Sequence, residues 1–592
     1  MRTQWIAFYR CSALGQWFAL HDRRPTRLVS FQSCNLPIIS STPTLTNRPF
    51  YLEVDQRIPR RSLEEFDHLV YIHVDQLRHN VWKPWMDRIH SEDSVASEGS
   101  VSPSTAFVFV ESQQKGHQMS HHKKKATFLL SSLRHFAIEC AEEGLPVVYL
   151  STKGSFTTPL SRWLSQSTSR RLTCMEISDW DERMLFKELS ESFAGQVSIE
   201  PNTLFIADVE TWRSKIAPGF RMETFYREMR RQSGLLMDHE GHPEGGTWNY
   251  DAENRKKIPK GLEIPASGRI EPDKVTQEVM EMIDQWFPGG LGDTNSFAYA
   301  VTRDQAIALA HEFIRERLPK FGPYEDAMAL DEPVLFHSRL SLYMNNGLLD
   351  PIELCELAQQ AYQEGHAPIE SVEGFIRQIL GWREYIRIYY EAMMPEIREA
   401  NHFGFTRGLP EAYVTGEHPC KCISESLKPV IEDAWSHHIP RLMILSSFSN
   451  LTQTDPRELN TWFWLAYADA HEWVELPNVL GMSTFADGGV LASKPYVSGG
   501  AYINKMSNYC AGCSYNVKEK TGPNACPFNY LYWNFVDQQR ETFSRNGRVN
   551  FMVNSFDKKS EDEKADIRKS AQTFIDAQPR LASGWETSTP AS

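Results

Sequence analysis

The 592-residue sequence predicts a two-part molecule: an N-terminal α/β domain built on an open, mostly parallel sheet, followed by a larger all-α domain. Two observations carry that expectation. Between residues 68 and 208, short β-branched and aromatic runs alternate with helix-length segments, as in a parallel sheet crossed by helices. After about residue 300 the apolar period becomes that of helices.

The elements follow in chain order. Residues 1–67 form an N-terminal extension set apart from the fold. Up to residue 50 it carries several arginines, many serines and threonines, and Asp22 as its sole acid. That composition reads as an organellar transit peptide addressed to chloroplast or mitochondrion; a misassigned start codon in a bacterial gene would look the same. Five runs are the expected strands of the α/β domain, residues 68–208: LVYIHV (69–74), AFVFV (106–110), PVVYL (146–150), LTCMEI (172–177) and TLFIAD (203–208). The clearest helix spans 125–143, with Leu129, Leu133, Phe136 and Cys140 on one face and Gly144 as its stop. No GxGxxG follows the first strand, so nothing supports an NAD site. Residues 209–300, rich in glycine, proline and charge, read as an interdomain connection. The helical domain spans 301–575; Ala306, Leu309, Ala310, Phe313 and Arg317 share one face, and Val372, Phe375, Ile379 and Ile386 another. Residues 576–592 are a polar tail.

Composition excludes several classes. A net charge of −14 argues against a general nucleic-acid coat, although cations gather in HHKKK (121–125), YREMRR (226–231) and NRKK (254–257). Each cluster reads equally well as solvated surface or as a local basic footprint. No run reaches the roughly 18–20 apolar residues of a membrane span, and ten cysteines in so long a chain are too sparse for a disulfide scaffold. A soluble, intracellular protein in a reducing compartment is expected.

Chemistry is concentrated in YCAGCSYNVKEKTGPNACPF, residues 509–528. Cys510 and Cys513 form C-x2-C, and Cys526 follows with Pro527 behind it, a spacing that lets thiolates chelate one centre from a loop. Zinc would accept three cysteines and a histidine, whereas an iron–sulfur cubane prefers four thiolates. The spacing leaves both open, and the fourth ligand is Cys420 or Cys422 of HPCKC. Downstream of that motif, Leu427, Ile431, Ala434 and His438 fall on one helical stripe with His437 beside it, a pattern that suits a satisfied core histidine as well as a functional one. Trp462, Leu465 and Asp469 fall on another. A buried carboxylate on an apolar face needs a cation, and Arg441 is the candidate.

GWREYIR (381–387), HHIPRLM (437–443), YADAHEWVELPNVLG (467–481), ADGGVLASKPY (486–496) and the cysteine loop, with FYREMRRQSGLLM and GGTWNYDAENRK upstream, together resemble the iron–sulfur branch of the cryptochrome/photolyase family, the prokaryotic (6-4) photolyases in particular. The resemblance runs from about residue 68 to 575. It implies an α/β antenna domain, a helical domain holding FAD, and a [4Fe-4S] cluster on Cys422, Cys510, Cys513 and Cys526, with Cys420 a bystander. It further implies a flavin site of Ser338, Ser341, Gln378, Arg383, Arg441, Trp462, Asp469 and Glu475. Asp251 and Asp326 resemble acids that hold a hydrated Mg2+ at the entrance for DNA, near Arg255, a DNA-binding residue. His438, with His437 and Tyr496, would act on the photoproduct: light-excited reduced flavin donates an electron and His438 a proton. UV-damaged DNA is the implied partner of a monomer that touches no membrane. Val414 and Phe463 stand where relatives carry electron-relaying Trp and Tyr. VYIHVDQL and KGHQM (115–119) depart from the usual antenna-pocket residues, so a 6,7-dimethyl-8-ribityllumazine antenna is less strongly implied than FAD. The preferred activity is light-driven (6-4) repair. The alternatives are a cryptochrome-type photoreceptor and, from the residues alone, a light-independent iron–sulfur nucleic-acid protein resembling a primase subunit.

Overall fold

The computed structural model describes residues 50–96, 105–582 and 584–585. Five strands, β1 (His68–Tyr71), β2 (Thr105–Ser112), β3 (Val147–Thr152), β4 (Arg171–Met175) and β5 (Val197–Glu200), form one sheet in the order β3-β2-β1-β4-β5. Every neighbouring pair is parallel. β2 is buried along its length up to Ser112, as expected of a strand covered on both faces. The other regular elements among the described residues are helices, so the fold class is the one the periodicities predict.

The fifth strand is a correction. TLFIAD is not a strand; the sheet ends on β5, whose half-exposed residues give no apolar run. The amides of Ile206 and Ala207 instead donate to the Glu384 carboxylate at 2.8 and 2.9 Å. The apolarity of that run reflects burial against helices.

The helix foreseen at 125–143 spans Lys123–Glu142 and stops at Gly144, which sits at φ +85°. Before β1, Tyr51, Val54 and Ile58 are buried. The Tyr51 hydroxyl donates to Glu111 at 3.0 Å, and Glu111 is also held at 3.1 Å by two nitrogens of Arg134. Residues from Phe50 onward therefore belong to the folded body, although composition grouped them with the extension. The targeting expectation falls on residues 1–49, outside those described. Among the described residues no helix is long and apolar enough to cross a membrane.

Residues 209–300 contain helices of their own, Met222–Ser233 and Lys274–Trp286. The second lies along Lys123–Glu142, where His135 Nε2 meets the Asp273 carboxylate at 3.0 Å. The polar tail is anchored where it begins: the helix Glu561–Ala577 runs into it, and Arg580 donates to the carbonyls of Gly408 (2.6 Å) and Thr452 (2.8 Å).

HHKKK joins the sheet half to the helical half and is no surface patch. Lys124 and Lys125 are buried. His122 Nε2 bonds the Ile431 carbonyl at 2.9 Å, Lys124 reaches Asp433 at 3.0 Å, and Lys125 donates to the Ala470 carbonyl at 2.7 Å and to that of Trp464.

Three wide π-type turns interrupt the helices, at Arg377–Arg383, Pro440–Ser446 and Pro477–Ser483. Each overlaps a motif that carries the family resemblance, and such turns gather at functional sites because they re-aim side chains.

Candidate flavin, histidine and cysteine sites

Two expected helical stripes are broken by the backbone. The helix Lys421–Asp433 ends at Ala434, which takes a left-handed conformation with φ +50°. His438 therefore opens the next helix, with His437 just before it, and neither shares the stripe of Leu427 and Ile431. Likewise the helix Pro456–Ala466 stops before Asp469. The ion pair expected of Asp469 is nevertheless present: Arg441 Nη1 and Nη2 each lie 3.1 Å from one of its oxygens, a bidentate arrangement. Ser341 Oγ donates to the same carboxylate at 2.8 Å, Asn345 Nδ2 to the Asp469 carbonyl at 2.9 Å, and the guanidinium lies 4.0 Å over the Tyr467 ring.

The other expected flavin residues are spread more widely. Ser338 Oγ accepts from the Leu340 amide at 3.3 Å, closing a local turn. Gln378 donates to buried Glu325 at 2.6 Å, and Asn254 donates to the second Glu325 oxygen at 3.1 Å. Arg383 contacts Glu384 at 2.5 Å, with its guanidinium 4.6 Å over the Phe205 ring. Trp462 donates to the Tyr413 carbonyl at 2.9 Å and meets that ring edge-on at 4.8 Å, while Phe463 stacks on Tyr467 at 5.2 Å. Glu475 is buried with neither carboxylate oxygen hydrogen-bonded, and burial pushes its carboxyl well above the ordinary range.

His437 is buried and His438 exposed. His337 stacks on His437 with ring centres 4.3 Å apart, and His438 stands edge-on to His337 at 5.6 Å. Burial pushes His337 and His437 well below the usual imidazole range, so both are neutral. His438 Nε2 lies 3.6 Å from Asp326. Arg255 sits between the two acids proposed for magnesium: it is paired with Asp251 and lies 3.9 Å from Asp326, and Arg377 adds a second cation 3.7 Å from Asp251. Tyr496 is half-buried, in the field of Asp251, Arg255 and Arg548.

Cys422, Cys510, Cys513 and Cys526 line one small apolar pocket, and Cys420 joins them on its wall. Burial and mutual proximity push the Cys510 thiol up to about 11 and that of Cys526 up to about 12.

A cavity of about 560 Å3 opens at the carboxyl ends of β1, β2 and β4. That is where the strand order reverses, the usual ligand crevice of an open α/β sheet. Tyr71, Phe156 and Leu133 line it together with Lys115, Gly116, Gln118 and Met119 of KGHQM, and Trp464 and His471 close it from the helical half. A charged network forms its floor: His73 lies 2.6 Å from Asp75 and 3.4 Å from Glu182, and Lys115 lies 3.0 Å from Glu182.

Sequence reasoning missed His337, Asn345, Glu325 and Lys125. His337 lies in HSRLSLY, a segment read for its hydroxyls, and no spacing rule pairs it with a histidine a hundred positions away. For Lys125 the available signal was its place at the start of a buried helix, where a solvated lysine is out of keeping.

A family model described as deoxyribodipyrimidine photo-lyase-related protein matches residues 86–299. A (6-4) photolyase of Agrobacterium fabrum is 42% identical over 492 residues, which cover 82% of this chain and 97% of that one. Among solved structures, a bacterial class III photolyase from Agrobacterium tumefaciens aligns with 87% of this chain and 99% of its own at a TM-score of 0.51 and 13% identity, a likeness of fold. A relative so similar along nearly its entire length settles the affiliation, and the chain belongs to the cryptochrome/photolyase family.

Proposed function

We propose that this chain is a light-driven DNA-repair lyase acting on pyrimidine–pyrimidone (6-4) photoproducts, with FAD as the redox cofactor. One observation carries the reading beyond family membership: His438 and Arg441 stand one turn apart at the start of the same helix. One faces solvent beside Asp326 and the other is locked on buried Asp469. Three residues, about 4.5 Å of helical rise, thus join a group able to meet a damaged base to one able to meet a flavin.

The residues present fit FAD. The Arg441–Asp469 pair offers a fixed dipole, and the bare oxygens of Glu475 are the sort of orphaned buried atoms a cofactor satisfies. The chemistry such a cofactor supplies is an electron released by light. This chain's residues then have three tasks. Ser341 holds Asp469 by its carboxylate and Asn345 by its main-chain carbonyl. His438 holds the proton at Nε2, with Asp326 to stabilise the imidazolium, while neutral His337 and His437 compete for none. Exposed Arg255 and Lys256 bind DNA phosphates at the entrance. The flipped-out lesion pays less to unstack than an intact base pair.

The cysteine pocket suits a [4Fe-4S] cluster: thiols and no imidazole line it, and such a cluster prefers four thiolates. Cys420 lines the pocket too, so the family pattern selects Cys422 as fourth ligand. A lumazine-type antenna suits the sheet-end cavity in size, with the unpartnered His471 Nε2 and Asn460 Oδ1 on its wall. Magnesium is less well supported. Arg255 and Arg377 already answer Asp251, and no step is drawn through that ion.

Blue light on purified protein with oligonucleotides bearing one (6-4) or one cyclobutane lesion tests the reading. Loss of the (6-4) lesion alone is expected. Flavin photoreduction with both lesions intact would refute repair and leave a photoreceptor.

A further inference from the structure

We propose that His337, His437 and His438 form a binding site for a divalent transition-metal ion of the zinc, cobalt and nickel class. One ring nitrogen from each lies within 4.8 Å of the other two. Two of the three rings are already committed in geometry and free in bonding: His337 Nε2 and His437 Nδ1 are buried without a hydrogen-bond partner. The His337 ring also hydrogen-bonds the Glu325 backbone, and such a bond orients an imidazole and fixes which nitrogen presents its lone pair.

Imidazole donors favour borderline ions over magnesium, which prefers oxygen. Nitrogens around a tetrahedral ion at about 2.0 Å stand roughly 3.4 Å apart, so the three must draw in by up to about 1.4 Å. His438 is exposed and can make that movement. The Asp326 carboxylate, 3.6 Å from His438 Nε2, is placed to complete the set and to offset the charge.

An ion held here would occupy the lone pair of His438. Inhibition of photorepair follows as a consequence, and that consequence rests on the repair reading; the binding itself does not.

The test is titration of the full-length protein, with cluster and flavin in place, with Co2+ alone. One equivalent is expected, with the visible d–d bands of a nitrogen-rich tetrahedral site and no thiolate charge-transfer band. Affinity should fall at least about tenfold in His337→Phe and in His438→Ala. If His337→Phe does not fold, His438→Ala decides, since that side chain is exposed. No binding, a thiolate band that reports the cysteine pocket, or unchanged affinity in His438→Ala would overturn the site. Photorepair by metal-free protein is scored separately, so loss of the repair reading would leave the cobalt result intact.

Discussion

Removing Arg441 takes from the buried Asp469 carboxylate its paired cation and leaves the Ser341 hydroxyl as its hydrogen-bond donor. Breaking a pair of this kind costs about 3 kcal/mol, so Arg441→Ala should purify flavin-poor with a lowered melting temperature. Full flavin content at wild-type stability would show the pair to be dispensable. Glu475 makes the opposite prediction. Its carboxyl is neutral in the fold, so Glu475→Gln exchanges one neutral group for another and should change stability by less than about 1 kcal/mol in urea unfolding. A loss several times larger would mean that the carboxylate is ionised. At this scale the sequence made the ion pair legible because a carboxylate among apolar residues demands a cation. It did not make the His337–His437 stack legible, because stacking follows from tertiary approach and leaves no mark on local spacing.

Periodicity located the elements and misplaced some of their ends. A 3.6-residue stripe carried past Asp433 puts His438 on the wrong helix, because nothing in Leu427, Ile431 and Ala434 announces that Ala434 turns left-handed. TLFIAD mimics a strand for a related reason: apolar content marks burial, and burial has more than one cause. The cysteine loop shows what motif spacing can and cannot say. Cys510, Cys513 and Cys526 do share one pocket, but so does Cys420, which two-residue spacing from Cys422 leaves ambiguous. Cys422→Ser should lose iron and the broad visible absorption of the cluster, whereas Cys420→Ser should retain both. The reverse pattern, by metal analysis of the purified variants, would move the fourth ligand to Cys420.

The junction between the sheet half and the helical half governs the whole molecule, and HHKKK shows why charge alone misleads about surfaces. His122 accepts from the Lys124 amide through Nδ1 and donates to the Ile431 carbonyl through Nε2, an arrangement open only to the neutral ring. Burial lowers it to about 4, whereas the unfolded chain titrates near the ordinary value of about 6.5. With the folded value depressed, the unfolded state takes up the proton first. The advantage of the wild type over His122→Gln is therefore full above pH ~6.5 and shrinks as pH falls toward ~4, by up to ~1.4 kcal/mol per unit. Urea unfolding of both proteins across that range reads the difference, and a constant gap would contradict the junction role. The proposed repair depends on all of these parts at once and on His438 in particular. The most direct measurement is blue-light repair of a (6-4) lesion by His438→Asn, normalised to folded, flavin-loaded protein, with damaged-DNA binding measured on the same sample. Loss of proton transfer should lower the rate by about 10²–10⁴ while binding, flavin and iron content stay near wild type; repair per loaded molecule near the wild-type rate would contradict the assignment of His438 as proton donor.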